Sequence, residues 1–242
     1  MEHKPFVWAH RGASGYAPEN TLEAFALAAE QKADGVELDV QLTKDDRLVV
    51  FHDETIDRVS GEHGFVKDFT LEELKRLNVN RTIPGYRAVQ IPTLEEVYDL
   101  LKGTGMTINV EIKSSIIWYP DIERKTLELT KKMGMQDKVI YSSFNHYSIR
   151  KLKELDASVE TGILYGDVLC DIKNYCKNVG AEALHPIYCH RYMDSIWKEY
   201  MESGLPLHIW TVNEEADMKF FMENQIDAII TNYPDKAVKL RR

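Results

Sequence analysis

The sequence predicts a closed (β/α)8 barrel, and three observations carry the prediction. Eight short apolar, β-branched runs alternate with stretches of helical periodicity along 242 residues, a length that suits eight β/α units. No Gly/Ser/Pro-rich linker or shift in composition divides the chain, so residues 1–242 are expected to form a single domain. Hydrophobic residues make up 44% of the chain, enough to fill a core of that size.

The first run, 6–10, opens the barrel. Asn20, three residues before Glu23, reads as a capping box for a helix in which Leu22, Phe25, Ala26 and Ala29 follow at helical spacing. The second run is 36–41. Residues 48–52 break the count: only Thr43-Lys44-Asp45-Asp46-Arg47 intervenes, too little for a parallel crossover, so this strand must return antiparallel as a hairpin. A two-residue turn at Asp45-Asp46 pairs Lys44 with Arg47 and, counted outward, sets His52 opposite Asp39, whereas one more loop residue shifts that register.

The stretch at about 53–92 is too long for a simple connection and contains Gly61, Gly64, Pro84 and Gly85. It is expected to be a small inserted cap over the barrel mouth with one short helix after Thr70, or a structural elaboration with no substrate role. Thr70 with Glu73 and Thr93 with Glu96 repeat the capping signature, and the second opens a helix with Leu94, Val97, Tyr98 and Leu101 on one face. The remaining barrel strands are expected at 107–112, 139–143, 160–164, 183–185, 207–211 and 228–231.

Composition narrows the function classes. A net charge of -9 and a pI near 5.4 argue against a nucleic-acid partner, which needs a basic surface. Cys170, Cys176 and Cys189 are odd in number and lack paired zinc spacing, so reduced thiols and a cytoplasmic location are expected despite the nearby His185 and His190. The apolar run Phe6-Val7-Trp8-Ala9 is too short for a leader peptide, and no run reaches transmembrane length, so no stable membrane anchor is expected. Lys236, Lys239, Arg241 and Arg242 carry no functional argument, because positive charge at a helix C-terminus is favourable in itself. Nothing in the sequence specifies an oligomeric state.

In such a barrel, chemistry collects at the C-terminal ends of the strands. The candidates there are His10 and Arg11 after the first strand, Glu37 and Asp39 on the second, Glu111 and Lys113 on the third, and Trp210 near the end of the seventh. Glu37 and Asp39 share a face by period two, and with Glu111 they would repel unless neutralised. All-oxygen ligation suits one divalent cation, Mg2+ or Ca2+; the other reading is a solvated strand end with Arg11 or Lys113 as counter-ions. His10 and His52 suit proton transfer near neutral pH. The other histidines, His3, His63, His146, His185, His190 and His208, are expected at the surface or in the core, although His208 shares a face with Trp210 and so could point inward. Arg11 and Lys113 suit a phosphate or an ion pair with the carboxylates, and Trp210 an apolar substrate edge or the core. Phe144 is a weaker candidate still.

The motifs Ala9-His10-Arg11-Gly12, Pro18-Glu19-Asn20-Thr21-Leu22-Glu23-Ala24-Phe25, Glu37-Leu38-Asp39-Val40 and Val50-Phe51-His52-Asp53 stand in this order. Followed by Ile91-Pro92-Thr93-Leu94-Glu95, Glu111-Ile112-Lys113 and Trp210-Thr211-Val212-Asn213, they resemble the glycerophosphodiester phosphodiesterase family, in its cytoplasmic bacterial form, over nearly the whole chain. The resemblance implies a TIM barrel with a small insertion and cleavage of small glycerophosphodiesters, such as glycerophosphocholine or glycerophosphoethanolamine, to glycerol 3-phosphate and an alcohol. It makes Glu37, Asp39 and Glu111 metal ligands, His10 and His52 the acid/base pair, and Arg11 and Lys113 phosphate contacts. The chain departs from the family at Asp46, where relatives often have glycine, and an aspartate tolerates the left-handed turn conformation. Its insertion follows the pattern only loosely, which leaves the alcohol open. Competing readings are a metal-free glycosidase using two of the carboxylates, a phospholipase-D-like lipase, and a barrel that only binds a phosphorylated metabolite.

Overall fold

A computed structural model describes residues 4–224 and 226–241. His3 and Arg242 lie outside the described residues. The strands in chain order are β1 (Phe6–His10), β2 (Gly35–Leu42), β3 (Leu48–Val50), β4 (Thr107–Ile112), β5 (Val139–Ser143), β6 (Glu160–Tyr165), β7 (Ala183–Pro186), β8 (His208–Ile209) and β9 (Ala228–Thr231). All but β3 run parallel in the order β7-β6-β5-β4-β2-β1-β9-β8, and single parallel bridges, Leu184 to Leu207 and Ile187 to Trp210, join the two ends. The result is a (β/α)8 TIM barrel with helices between its strands. The seventh barrel strand is shorter than its apolar pattern suggests, because Leu207 and Trp210 make isolated bridges rather than ladder pairs.

β3 is antiparallel to β2 as expected, but its register differs. Val40 pairs with Val50 and Leu42 with Leu48, and the Thr43 N–H donates to the Arg47 carbonyl at 3.0 Å. The loop therefore has three residues, 44–46, with Asp46 at φ +62, the left-handed closing residue such a loop needs. Asp39 stands across from Phe51, whose N–H donates to its carbonyl at 2.9 Å, and His52 follows where the strand has already ended.

The first helix, Leu22–Glu30, starts one residue later than its capping signal suggests. Thr21 is the cap, accepting from the Ala24 N–H at 3.2 Å, whereas Asn20 adopts φ +56 and turns its side chain inward. The boxes at Thr70 and Thr93 form as expected, and Leu94, Val97, Tyr98 and Leu101 are all buried. Among the described residues the insertion holds two short α-helices, Asp57–Ser60 and Leu71–Lys75, and a 3-10 turn, Val66–Asp68, around an apolar cluster in which Ile56, Val59, Val66, Leu74, Val79, Val89 and Ile91 pack with Val49 and Phe51 of the hairpin. The four-residue helix went unread because one turn carries no periodicity. All three cysteines are unpaired thiols. Among the described residues no helix is long and apolar enough to cross a membrane.

Inside the barrel, His208 Nδ1 and His185 Nε2 share a hydrogen bond of 2.8 Å beneath Trp8, whose ring lies 4.5 Å from that of His208. His208 thus points inward and is also a hydrogen-bonded core histidine. A side chain at Gly162 would meet His185 Nε2 at 2.2 Å, so glycine makes room for the pair. Burial pushes His208 down to about 3, and burial together with His208 holds His185 well below the ordinary 6.5. Both imidazoles must gain protons when the protein unfolds in acid. Their stabilisation is complete above about 6.5 and is lost as pH falls from there toward the folded-state values, by about 1.4 kcal/mol per pH unit for each histidine. Urea unfolding of wild type and His208→Gln between pH 4 and 6.5 is expected to show the variant losing stability less steeply; equal slopes would remove His208 from the acid response.

Candidate active site

Parallel register builds the site. β1, β2 and β4 align His10 with Glu37 and Asp39 with Glu111, so residues from three strands face one level of the barrel mouth. One carboxylate oxygen from each of Glu37, Asp39 and Glu111 lies within 4.8 Å of the others, and all three side chains are buried. Lys113 Nζ lies 3.0 Å from Glu111 Oε1 and 3.8 Å from Asp39 Oδ1, while Arg11 Nε stands 3.5 Å from Asp39 Oδ2. Asn20 Nδ2 donates to the same Oδ2 at 2.8 Å. Asp39 Oδ1 is buried and accepts no hydrogen bond from the described residues.

The three carboxyls separate electrically. Burial raises Glu37 well above the usual carboxylate range, and the charges of Asp39 and Glu111 add to this. Burial raises Glu111 too, against the pull of Lys113. At Asp39 burial acts the same way but is outweighed by His52, Arg11, Lys113 and the Asn20 bond, which hold it below its usual range. Two buried acids pushed toward the protonated form, beside an ionised third with an unbonded carboxylate oxygen, fit a hard divalent cation that these three residues could hold.

Each candidate histidine is held through Nδ1. His10 Nδ1 lies 2.7 Å from Asn232 Oδ1, and His52 Nδ1 lies 2.6 Å from Asp53 Oδ1. Both partners are acceptors, so the proton sits on Nδ1 and Nε2 is left for other work. Burial, then the neighbouring Arg11 charge, pushes His10 down to about 3, which keeps it neutral in ordinary conditions. Its Nε2 lies 3.9 Å from Glu37 Oε2. The loop after β1 turns sharply, with Arg11 at φ +55 and Gly12 at φ +78, and a Cβ on Gly12 would stand 2.6 Å from the Ala24 backbone. That close approach lets the Arg11 N–H reach both the Glu37 carbonyl, at 2.9 Å, and Glu37 Oε2, at 3.1 Å.

A cavity of about 120 Å³ opens at this level, lined by His10, Arg11, Glu37, His52, Asn109, Glu111, Phe144, Leu164, Trp210 and Ile230. Two larger clefts, of about 360 and 300 Å³, are lined by groups such as Lys125 with Glu128 and Asp137 with Lys138, and gather no comparable set. Six of the eight candidate residues line the cavity, whereas Asp39 and Lys113 stand behind its wall in the ion-pair cluster. Trp210 donates from Nε1 to the His185 carbonyl at 2.7 Å and packs edge-on against Phe144 at 5.3 Å, which makes both aromatic rings part of the wall. Asn109 was missed although period two puts it on the face of Glu111, and neither of its buried amide atoms has a hydrogen-bond partner among the described residues. Asn20 and Asn232 were missed as well. The rule of strand C-terminal ends points to Asn232, but nothing local to Asn20 does.

Clustered acids suited to a hard cation, with guanidinium and ammonium groups suited to a phosphate, make this barrel a hydrolase of the phosphodiesterase class. The profile of the glycerophosphoryl diester phosphodiesterase family matches residues 10–236, and the chain belongs to that family. It is 42% identical over 240 residues to a glycerophosphodiester phosphodiesterase of Caldanaerobacter subterraneus subsp. tengcongensis, covering 99% of this chain and 98% of that one. With the glycerophosphodiester phosphodiesterase of Thermotoga maritima it shares 30% identity and superposes at a TM-score of 0.81, covering 99% of this chain and all of the other. An Oleispira antarctica phosphodiesterase, solved with its product sn-glycerol-3-phosphate, superposes at 0.86 with 28% identity over 98% of this chain and 96% of that one.

Proposed function

We propose that this enzyme hydrolyses small glycerophosphodiesters, glycerophosphocholine and glycerophosphoethanolamine among them, to glycerol 3-phosphate and an alcohol, using one divalent cation, Mg2+ or Ca2+. The observation that carries the reading is the pair of histidines at one cavity, each anchored through Nδ1 and each with Nε2 free for proton transfer. A barrel that only bound a phosphorylated metabolite would need neither. The product bound by the Oleispira antarctica relative supports glycerol 3-phosphate as the retained half.

In this reading Glu37, Asp39 and Glu111 hold the cation, which when bound polarises a nonbridging phosphate oxygen. Arg11 grips the phosphate, and Lys113 offsets charge that develops as the pentavalent arrangement forms. Neutral His10 removes the proton from the attacking hydroxyl through Nε2. His52 delivers a proton to the oxygen of the departing alcohol as its bond to phosphorus breaks. The attacking hydroxyl belongs to water or to the glycerol 2-position; the second route passes through a cyclic phosphate, whose hydrolysis exchanges the roles of the two histidines. Trp210 and Phe144 supply an apolar wall for substrate carbons. The insertion is proposed to belong to the same domain, and the unpaired thiols suit the reducing cytoplasm as the location.

Incubation with glycerophosphocholine is expected to release glycerol 3-phosphate and choline in equal amounts. Release of phosphocholine, or binding without turnover, would overturn the assignment. Lysophosphatidylcholine assayed beside it is expected to react far more slowly, and faster turnover of the lipid would favour the lipase reading.

A further inference from the structure

We propose that Arg58, on the first short helix of the insertion, is a positioning residue that orients His52 and Arg11 together through one guanidinium. This rests on the function proposed above. His52 is held by Asp53, and Arg58 grips Asp53 side-on, from Nε to Oδ2 at 2.7 Å and from Nη2 to Oδ1 at 3.0 Å. The end of the same guanidinium grips Glu19, from Nη1 to Oε2 and from Nη2 to Oε1, both at 2.7 Å. Glu19 Oε1 in turn accepts from Arg11 Nη1 at 2.8 Å. Each carboxylate thus has Arg58 on one side and a residue of the cavity wall on the other.

Only the planar fork of arginine can serve two carboxylates in this way; a lysine ammonium would supply the charge without the geometry. Both acids are held in the ionised form they need to act as acceptors. Burial works against this, and the bonds to His52 and Arg58 at Asp53, and to Arg58 and Arg11 at Glu19, outweigh it. No residue of 53–92 lines the cavity itself, so among the described residues the insertion meets the site at one remove. The expected cap is thereby recast as a brace: its apolar cluster fixes the helix Asp57–Ser60, and that helix carries the clamp.

The Arg58 side chain is 44% exposed, so a guanidinium ion from solvent can enter the place it vacates. Arg58→Ala is expected to lower kcat for glycerophosphocholine by about 10- to 100-fold, the usual cost of removing such an outer partner. Guanidinium at millimolar concentration, well below the denaturing range, should restore much of the loss, methylammonium should not, and Arg58→Lys should stay impaired. Arg58→Gln provides a folded alternative if the alanine variant aggregates. In the Asp53→Asn background, removing Arg58 should cost less than it does alone, because part of its effect runs through that carboxylate. A wild-type kcat in Arg58→Ala, a loss that guanidinium does not relieve, or full activity in Arg58→Lys would each overturn the proposal. If His52→Ala is inactive in the same experiment, only the clamp fails; if His52→Ala is fully active, the catalytic reading fails first.

Discussion

Removing divalent cations from the enzyme is expected to lower glycerol 3-phosphate release by about 10³-fold or more, with Mg2+ or Ca2+ restoring it. The size follows from the several kcal/mol that a Lewis acid contributes at a phosphate, each 1.4 kcal/mol being roughly tenfold in rate. Glu37, Asp39 and Glu111 are held close together, and the cations already beside them do not neutralise the set, since Glu37 and Glu111 remain pushed upward while Asp39 is held down. A glycosidase built on two of these acids would keep its rate in chelator. A second measurement separates metal binding from loss of fold: added cation should raise the thermal midpoint of the wild type, because it binds only the folded state. Asp39→Asn should lose both that shift and the activity. Undiminished turnover in fully demetallated protein would sink the metal assignment.

What the sequence made legible followed from short-range rules. Period two places Glu37 and Asp39 on one face, strand order brings Glu111 beside them, and the positions of Thr70 and Thr93 mark two helix starts that form as expected. Errors arose where one residue's backbone decided the outcome. Asn20 has the spacing of a helix cap, but its positive φ hands the capping role to Thr21 and frees the amide to bind Asp39. Asp46 closes a three-residue loop in the left-handed conformation, and that single residue moves the hairpin register by one. His52 reaches the cavity regardless, because it lies beyond the end of β3, where register no longer dictates direction. The remaining gaps concern partners remote in the chain. Asn232 holds His10 across 222 residues and Arg58 holds Glu19 across 39, so neither link has a local signature.

Replacing His52 by alanine is expected to cost about 10²- to 10⁴-fold in kcat, the usual range for losing a positioned proton donor or acceptor. His52 differs from His10 in its setting. Its side chain is 30% exposed against 16% for His10, and its Nδ1 faces a carboxylate rather than an amide oxygen. The Asp53 carboxylate orients His52 with Nε2 toward the cavity, which suits a residue that hands a proton to a departing alkoxide; burial and the Arg11 charge outweigh the Asn232 bond and favour a neutral ring at His10, which suits a base. This division makes a prediction that simple loss of activity does not. An alkoxide such as that of choline needs a proton as it leaves, whereas p-nitrophenolate does not. The His52→Ala defect should therefore shrink markedly when glycerophosphocholine is replaced by a glycerol phosphodiester of p-nitrophenol, while the His10→Ala defect should persist with both. If both variants are impaired equally on the two substrates, His52 is not the proton donor to the leaving group. A folded His52→Ala enzyme with the normal rate would remove it from the mechanism.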